Sequence, residues 1–137
     1  MCVSNPVIEV TVVGDDERLD TLPTYFGDRF LEAENAIFAY MRHLCEKYSG
    51  GYWTFYETTN GAFFMAPDIE GTVRVSNPGN GAEAEVSWQA AGLIACVFAV
   101  NHCVWTYRTD QFGEQYDRLM AYVYDHPESW DILLLID

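Results

Sequence analysis

The chain has 137 residues, half of them hydrophobic and 15% aromatic, which excludes a disordered or purely solvating polypeptide and fits one compact domain. Twenty-one acidic residues against seven Lys and Arg leave a net charge of −14, with Lys47 the sole lysine. Binding through phosphate neutralisation needs clustered basic side chains, so neither a nucleic acid nor an anionic membrane surface is an expected partner.

From the N-terminus, Met1-Cys2-Val3-Ser4-Asn5-Pro6 carries no basic segment followed by an apolar one, and no run reaches the roughly 18 apolar residues of a membrane span. A cytoplasmic protein is expected, with residues 1–9 flexible ahead of a single domain over 1–137. Val7 to Val13 is β-branched and partly alternating, a short strand or extended arm closed by Gly14-Asp15-Asp16-Glu17. Leu22-Pro23 biases Leu22 away from helix, and Tyr25-Phe26-Gly27 reads as an aromatic anchor closed by a turn.

From Phe30 the period changes. Phe30, Ala33, Ile37, Met41, Leu44 and Tyr48 recur at three- and four-residue steps, an amphipathic helix ended by Gly50-Gly51. Tyr52 to Thr59 is a strand, Asn60-Gly61 a hairpin signal with both turn residues at positive φ, and Ala62 to Met65 the returning strand. Thr72 to Ser76 and Ala82 to Val86 pair around Asn77-Pro78-Gly79-Asn80-Gly81. Ser87 is a suitable N-cap for a helix to about Val104, apolar almost all round and therefore central. A further helix runs from Asp110 to about Tyr124, with Phe112, Tyr116, Leu119, Met120 and Val123 on one face. Asp125-His126-Pro127-Glu128 opens a last short helix to Ile136. The expected fold class is α+β: an antiparallel three- to four-stranded meander packed by about four helices.

Catalytic patterns are scarce. His43, His102 and His126 do not stand at metal-ligand spacing, and the chain has no G-x-S-x-G, P-loop or dinucleotide fingerprint. Cys96 and Cys103 on one helix would lie about 10 Å apart, beyond the ~7 Å limit for a disulfide. Free buried thiols are expected, and neither a metal nor a cofactor. A Cys–His pair formed with a remote histidine, or two carboxylates meeting in a cleft, would make a small hydrolase, but no local pattern carries either. The abundant carboxylates read as a solvated acidic surface. Alternatively, they imitate DNA phosphates and occupy the basic groove of a DNA-processing enzyme. Alternation along Tyr52 to Tyr56 puts Trp53 and Phe55 on one face. Tyr52, Thr54 and Tyr56 lie on the other, which would suit a partner protein if left uncovered.

Arg18-Leu19, Leu22-Pro23 and Tyr25-Phe26-Gly27 together resemble the R-L-x-x-L-P-x-Y-F-G opening of the antirestriction family of the ArdB and KlcA type. Tyr48, Gly50-Gly51-Tyr52-Trp53, Phe55-Tyr56, Asn60-Gly61, Phe64 and Met65-Ala66-Pro67 are similar to its central block. Ala90-Ala91-Gly92 with Ala95-Cys96 matches its buried helix, and His126-Pro127-Glu128 with Ile136-Asp137 its C-terminal end. The chain departs from the pattern at Thr24 and from Trp105 to Gln111. The resemblance spans about residues 10 to 137. It implies a small cytoplasmic protein of plasmids, prophages or other mobile elements that lets incoming DNA escape type I restriction–modification, without catalysis. The partner it implies is the restriction–modification complex or a host factor controlling it. Candidate partner-binding residues are Tyr25, Phe26 and Gly27, the Asn60-Gly61 hairpin and the terminal Asp137.

Overall fold

The structure, a computed structural model, describes residues 7–137. Expectations for residues 1–6, including Cys2, lie outside it. Among the described residues five strands and five α-helices follow in chain order: β1 (Val10–Val12), α1 (Arg18–Phe26), α2 (Phe30–Leu44), β2 (Trp53–Thr58), β3 (Phe63–Pro67), β4 (Thr72–Asn77), β5 (Ala82–Ser87), α3 (Trp88–Tyr107), α4 (Asp110–Asp125) and α5 (Ser129–Ile136). The α+β class holds. The antiparallel strands divide between two sheets, β1-β2-β3 and β4-β5, rather than forming one continuous meander.

Helix α3 occupies the centre. Its apolar residues leave no polar stripe, so it is stable only when surrounded, and twelve of its residues from Trp88 to Cys103 are buried. Ser87 caps it as expected, its hydroxyl accepting the Ala90 N–H at 3.0 Å. By length and composition α3 could cross a membrane, but here it is the packed core helix. Gly92 sets how close it lies to β3. A Cβ at that position would meet the Ala66 Cα and Cβ and lie 2.5 Å from the Met65 carbonyl oxygen.

Three local expectations change. Residues 18–26 form a helix despite Pro23. Burial of Leu22 and Phe26 holds it, Phe26 lying edge-on to Phe63 and stacked on Phe112. The Thr24 hydroxyl back-bonds to the Asp20 carbonyl within the same turn as the proline. Helix α2 stops at Leu44 instead of continuing to the glycines, because the chain turns at Cys45 to bring Tyr48 against Trp53. There the Trp53 indole N–H donates to the Tyr48 hydroxyl at 3.0 Å. In the β2–β3 hairpin only Gly61 has positive φ (86°), since Arg108 is the one non-glycine with positive φ among the described residues. The loop is therefore longer than a two-residue turn, with Gly61 supplying the left-handed step.

The outer face of β2 is not free. Tyr56 stacks on Phe64, which stacks on Tyr122 of α4, so a helix covers this face of the sheet. Only Tyr52 at the strand entrance stays exposed, with the Arg18 guanidinium 4.6 Å above its ring.

Candidate functional site

Three segments named by the sequence converge unequally. Tyr25 and Phe26 end α1, and Gly27 follows with φ 68°, where the lack of a Cβ makes room for the Gln111 side chain of α4. The Gln111 amide donates to the Thr24 carbonyl at 3.0 Å, which fixes the end of α1 against the start of α4. Phe26 is 2% exposed and belongs to the core, so it positions this corner and offers no surface of its own. Tyr25 is half-buried, its ring stacked on Phe63 and its hydroxyl donating to the Glu57 carboxylate. Burial, then that hydrogen bond, pushes its phenol up to about 12.

The Asn60-Gly61 hairpin lies against the same helix. Asn60 donates to the Arg118 carbonyl at 3.0 Å, and the Gly61 carbonyl accepts from the Gln115 amide at 2.9 Å. Gln115 is buried and turns its oxygen to the Phe63 N–H at 3.1 Å. One side chain thus satisfies both backbone groups where the hairpin enters the core. The Arg118 guanidinium lies over Gly61, 3.6 Å from where its Cβ would be. Tyr25, Gly27, Asn60 and Gly61 therefore share one face, organised by α4.

Between α1 and β2 that face carries a shallow depression of about 200 Å³ lined by Glu17, Asp20, Thr21, Thr24, Tyr25 and Glu57. Three carboxylates surround one phenol, and the hydroxyls of Thr21 and Thr24 are turned to the helix's own carbonyls. Such a surface can receive a cationic side chain. Asp137 sits elsewhere, at the end of α5. The Asn77 amide donates to the Leu135 carbonyl at 2.7 Å, and the Asn80 amide to Leu134 and Asp137 carbonyls at 3.2 Å. The β4–β5 turn thus caps the last carbonyls of α5.

Among the described residues no thiol is hydrogen-bonded to an imidazole, and the only hydrogen-bond partner of the His102 ring is the Thr106 hydroxyl, at 3.4 Å. Cys45, Cys96 and Cys103 are free and buried. Burial pushes the Cys96 thiol up to about 12 and that of Cys103 to about 11, far from reactive thiolates. His43 and His102 are exposed, whereas His126 is buried. Its Nδ1 accepts the Glu128 N–H at 2.9 Å, so the neutral ring carries its proton on Nε2, 2.9 Å from the Gln89 oxygen. Desolvation lowers its pKa from the ordinary 6.5. Among the described residues no group of three or more His, Cys, Asp or Glu is placed to hold a metal ion.

Glu57, Gln115 and Arg118 belong to no sequence motif that marks them as site residues, and Glu128 is legible only as part of a helix start and of the C-terminal family match. Gln115 was the findable one: it falls on the apolar face of α4 with Phe112, Leu119 and Tyr122, where an amide must have buried partners. The Glu128 carboxylate accepts the Ser87 N–H at 2.8 Å and the Ser87 hydroxyl at 2.6 Å, across 41 residues of chain that no local pattern connects.

Comparison with known proteins gives a concordant result. A family profile described as antirestriction protein matches residues 46–137. The antirestriction protein KlcA of Escherichia coli is 38% identical, with 98% of this chain and 97% of that protein covered. The uncharacterized protein YafX of Escherichia coli is 41% identical, covering 98% and 92%. A solved structure superposes with a TM-score of 0.89 at 36% identity over the whole of both chains. It comes from work describing the KlcA and ArdB proteins as having a novel fold and antirestriction activity against type I DNA restriction systems in vivo but not in vitro. The chain belongs to the antirestriction protein family.

Proposed function

We propose that this member of the antirestriction family relieves type I restriction of incoming DNA by protein–protein contact and catalyses no reaction. The observation that carries the reading is full-length likeness, in sequence and fold, to proteins described as antirestriction proteins active against type I systems. The separation of thiols, imidazoles and carboxylates supports the absence of catalysis. Among the described residues no thiol is hydrogen-bonded to an imidazole, and Cys45, Cys96 and Cys103 each lie in a setting that disfavours the thiolate. The partner is the type I restriction–modification complex, or a host factor that controls it, met in the cytoplasm. Neither DNA nor a membrane is bound directly, because an excess of 14 negative charges repels both. No cofactor is required.

Activity in vivo but not in vitro, reported for the structural relatives, bears on mechanism. A mimic that filled the DNA groove of the enzyme by charge alone would act on the purified enzyme too. A target or accessory component present only in the cell fits better, which supports the host-factor reading over the DNA-mimic one. The contact surface we assign is the α1–hairpin face bearing Tyr25, Gly27, Asn60 and Gly61, together with the exposed Asp137.

The test is the plating efficiency of unmodified phage on a strain with an active type I system. Expression of the protein is expected to raise plating of unmodified phage and leave modified phage unaffected. Replacement of Glu17 by Gln and Asp20 by Asn, both on the acidic depression, is expected to lower the effect while the melting temperature falls by only about 2–4 °C, from the lost charges at the start of α1. Unchanged restriction with the wild-type chain expressed would overturn the proposed function.

A further inference from the structure

The corner between α3 and α4 carries a second surface, and it is built differently from its surroundings. Helix α3 ends at Tyr107, Arg108 takes the left-handed conformation (φ 55°), and α4 begins at Asp110. An open groove of about 480 Å³ lies there, lined by Val104, Trp105, Arg108, Asp110, Gly113 and Glu114 among others. Trp105 is 68% exposed, although an indole of this size is ordinarily covered.

Gly113 stands within α4, where glycine weakens a helix relative to alanine. Packing gives no reason for it: a Cβ built there meets nothing within 4 Å, and its backbone angle is not left-handed. Gly92 on α3 is the contrast, its missing Cβ filled by β3. The room left at Gly113 therefore opens outward. Arg108 repeats the pattern. Glycine would be the undemanding residue at a left-handed helix end, yet a long cationic side chain stands at the rim of the groove.

Asp110 and Glu114 lie four residues apart on one side of α4, and neither takes part in an ion pair among the described residues. Charge decides among occupants. A second copy would bring one body of charge −14 onto another, and a nucleic acid would meet the same repulsion. A basic protein segment meets attraction from the net charge and from Asp110 and Glu114, opposed at the rim by Arg108 alone.

We infer that the groove between Trp105 and Gly113 docks a protein segment with an aliphatic side chain flanked by Lys or Arg. The aliphatic chain lies on the Trp105 ring against the open backbone of Gly113. The flanking cations face Asp110 and Glu114. The groove borders the α1–hairpin face through Gln111, which joins α4 to the end of α1. As a contact used in antirestriction, it rests on the function proposed above.

Two measurements keep the groove and the function separable. The first is an amide-resolved NMR titration at physiological ionic strength with an acetylated hexapeptide alternating leucine and lysine, and with its leucine–glutamate counterpart. Shifts are expected at residues 104–114 and the Trp105 indole with the basic peptide alone, and Gly113→Gln is expected to abolish them. Shifts spread over the acidic surface, or unchanged by Gly113→Gln, would overturn the proposal. The second is phage plating with Gly113→Gln and Trp105→Ala. Both are expected to lose the relief of restriction, and Gly113→Gln to melt no lower than the wild type. Trp130→Ala, at a still more exposed tryptophan on α5, is expected to keep it. Full relief by both groove variants, in a strain where the wild type relieves restriction, also overturns the groove. Absence of relief by the wild type itself sinks the proposed function, and the titration then decides the groove alone.

Discussion

Gly92→Ala adds one methyl group at the closest approach of α3 to β3. The new carbon would lie on the Cα and Cβ of Ala66 and 2.5 Å from the Met65 carbonyl, about 1 Å inside ordinary van der Waals contact. Ala66 and Met65 are fully buried in the strand that closes the three-stranded sheet, and the atoms met are backbone or a methyl carbon fixed to it, so no flexible side chain can swing away. Overpacking of this kind costs about 1–3 kcal/mol, and the rigid obstacle argues for the upper end. Alanine returns up to about 1 kcal/mol of helix propensity. The net expectation is a loss of about 2 kcal/mol. With unfolding entropy near 2.1 cal/mol/K per residue, the melting temperature falls by about 7 °C. Gly113→Ala is the internal control, because the same change in an open helical position is expected to raise it by about 2–3 °C. Thermal unfolding followed by circular dichroism reads both. Equal signs for the two variants, or a Gly92→Ala protein as stable as the wild type, would refute the account of how the helix and sheet touch.

Further expectations follow from buried polar groups. Gln115→Leu keeps the volume but strands the Phe63 N–H and the Gly61 carbonyl, and is expected to cost about 2–3 kcal/mol in urea unfolding. Glu128→Ala removes both acceptors from Ser87, with an expected loss of about 1.5–3 kcal/mol. His126 has its pKa lowered in the folded state by burial, so the unfolded chain binds its proton first. Its contribution to stability is complete above pH 6.5 and is lost as pH falls from there through the folded-state pKa. An NMR titration of the ring with its midpoint at or above 6.5 would contradict this.

Local periodicity made the elements that bury apolar side chains legible. Ile37 and Met41 marked α2, β-branched and aromatic residues marked β2 to β4, and the Asn77-Pro78-Gly79-Asn80-Gly81 turn marked β5 as the partner of β4. The unbroken apolar stretch to Val100 marked the central helix. Where tertiary contact overrode local preference, the sequence was opaque. Pro23 argued against α1, yet Phe26 gains more from Phe63 and Phe112 than the proline costs. The glycines at 50 and 51 argued for a long α2, yet the Tyr48–Trp53 contact needed the chain to leave the helix six residues earlier. The candidate surface was half legible. Tyr25, Gly27, Asn60 and Gly61 share a face because α4 gathers them, and that gathering depends on Gln111, Gln115 and Arg118, residues at long sequence distance from their partners.

The basic residues explain what kind of recognition is left to this protein. Arg18 lies over the Tyr52 and Phe55 rings and Arg29 over Tyr107, while Arg74 pairs with Glu83 and Arg118 leans on the Gly61 carbonyl. Most of the few cations are thus engaged within the molecule, and most of the 21 carboxylates face outward. At distances beyond a Debye length of about 8 Å that surface field is screened, and within it a broadly negative surface draws any basic body without choosing among them. Choice has to come from features felt only at contact, such as the fit against an exposed indole beside an uncovered glycine. Ionic strength should then act on the rate of capture and hardly on residence time. The dissociation rate of the basic peptide from the wild-type chain should accordingly stay nearly constant as salt is raised. A dissociation rate that climbs steeply with salt in the wild type would mean that charge, and not the groove, holds the partner.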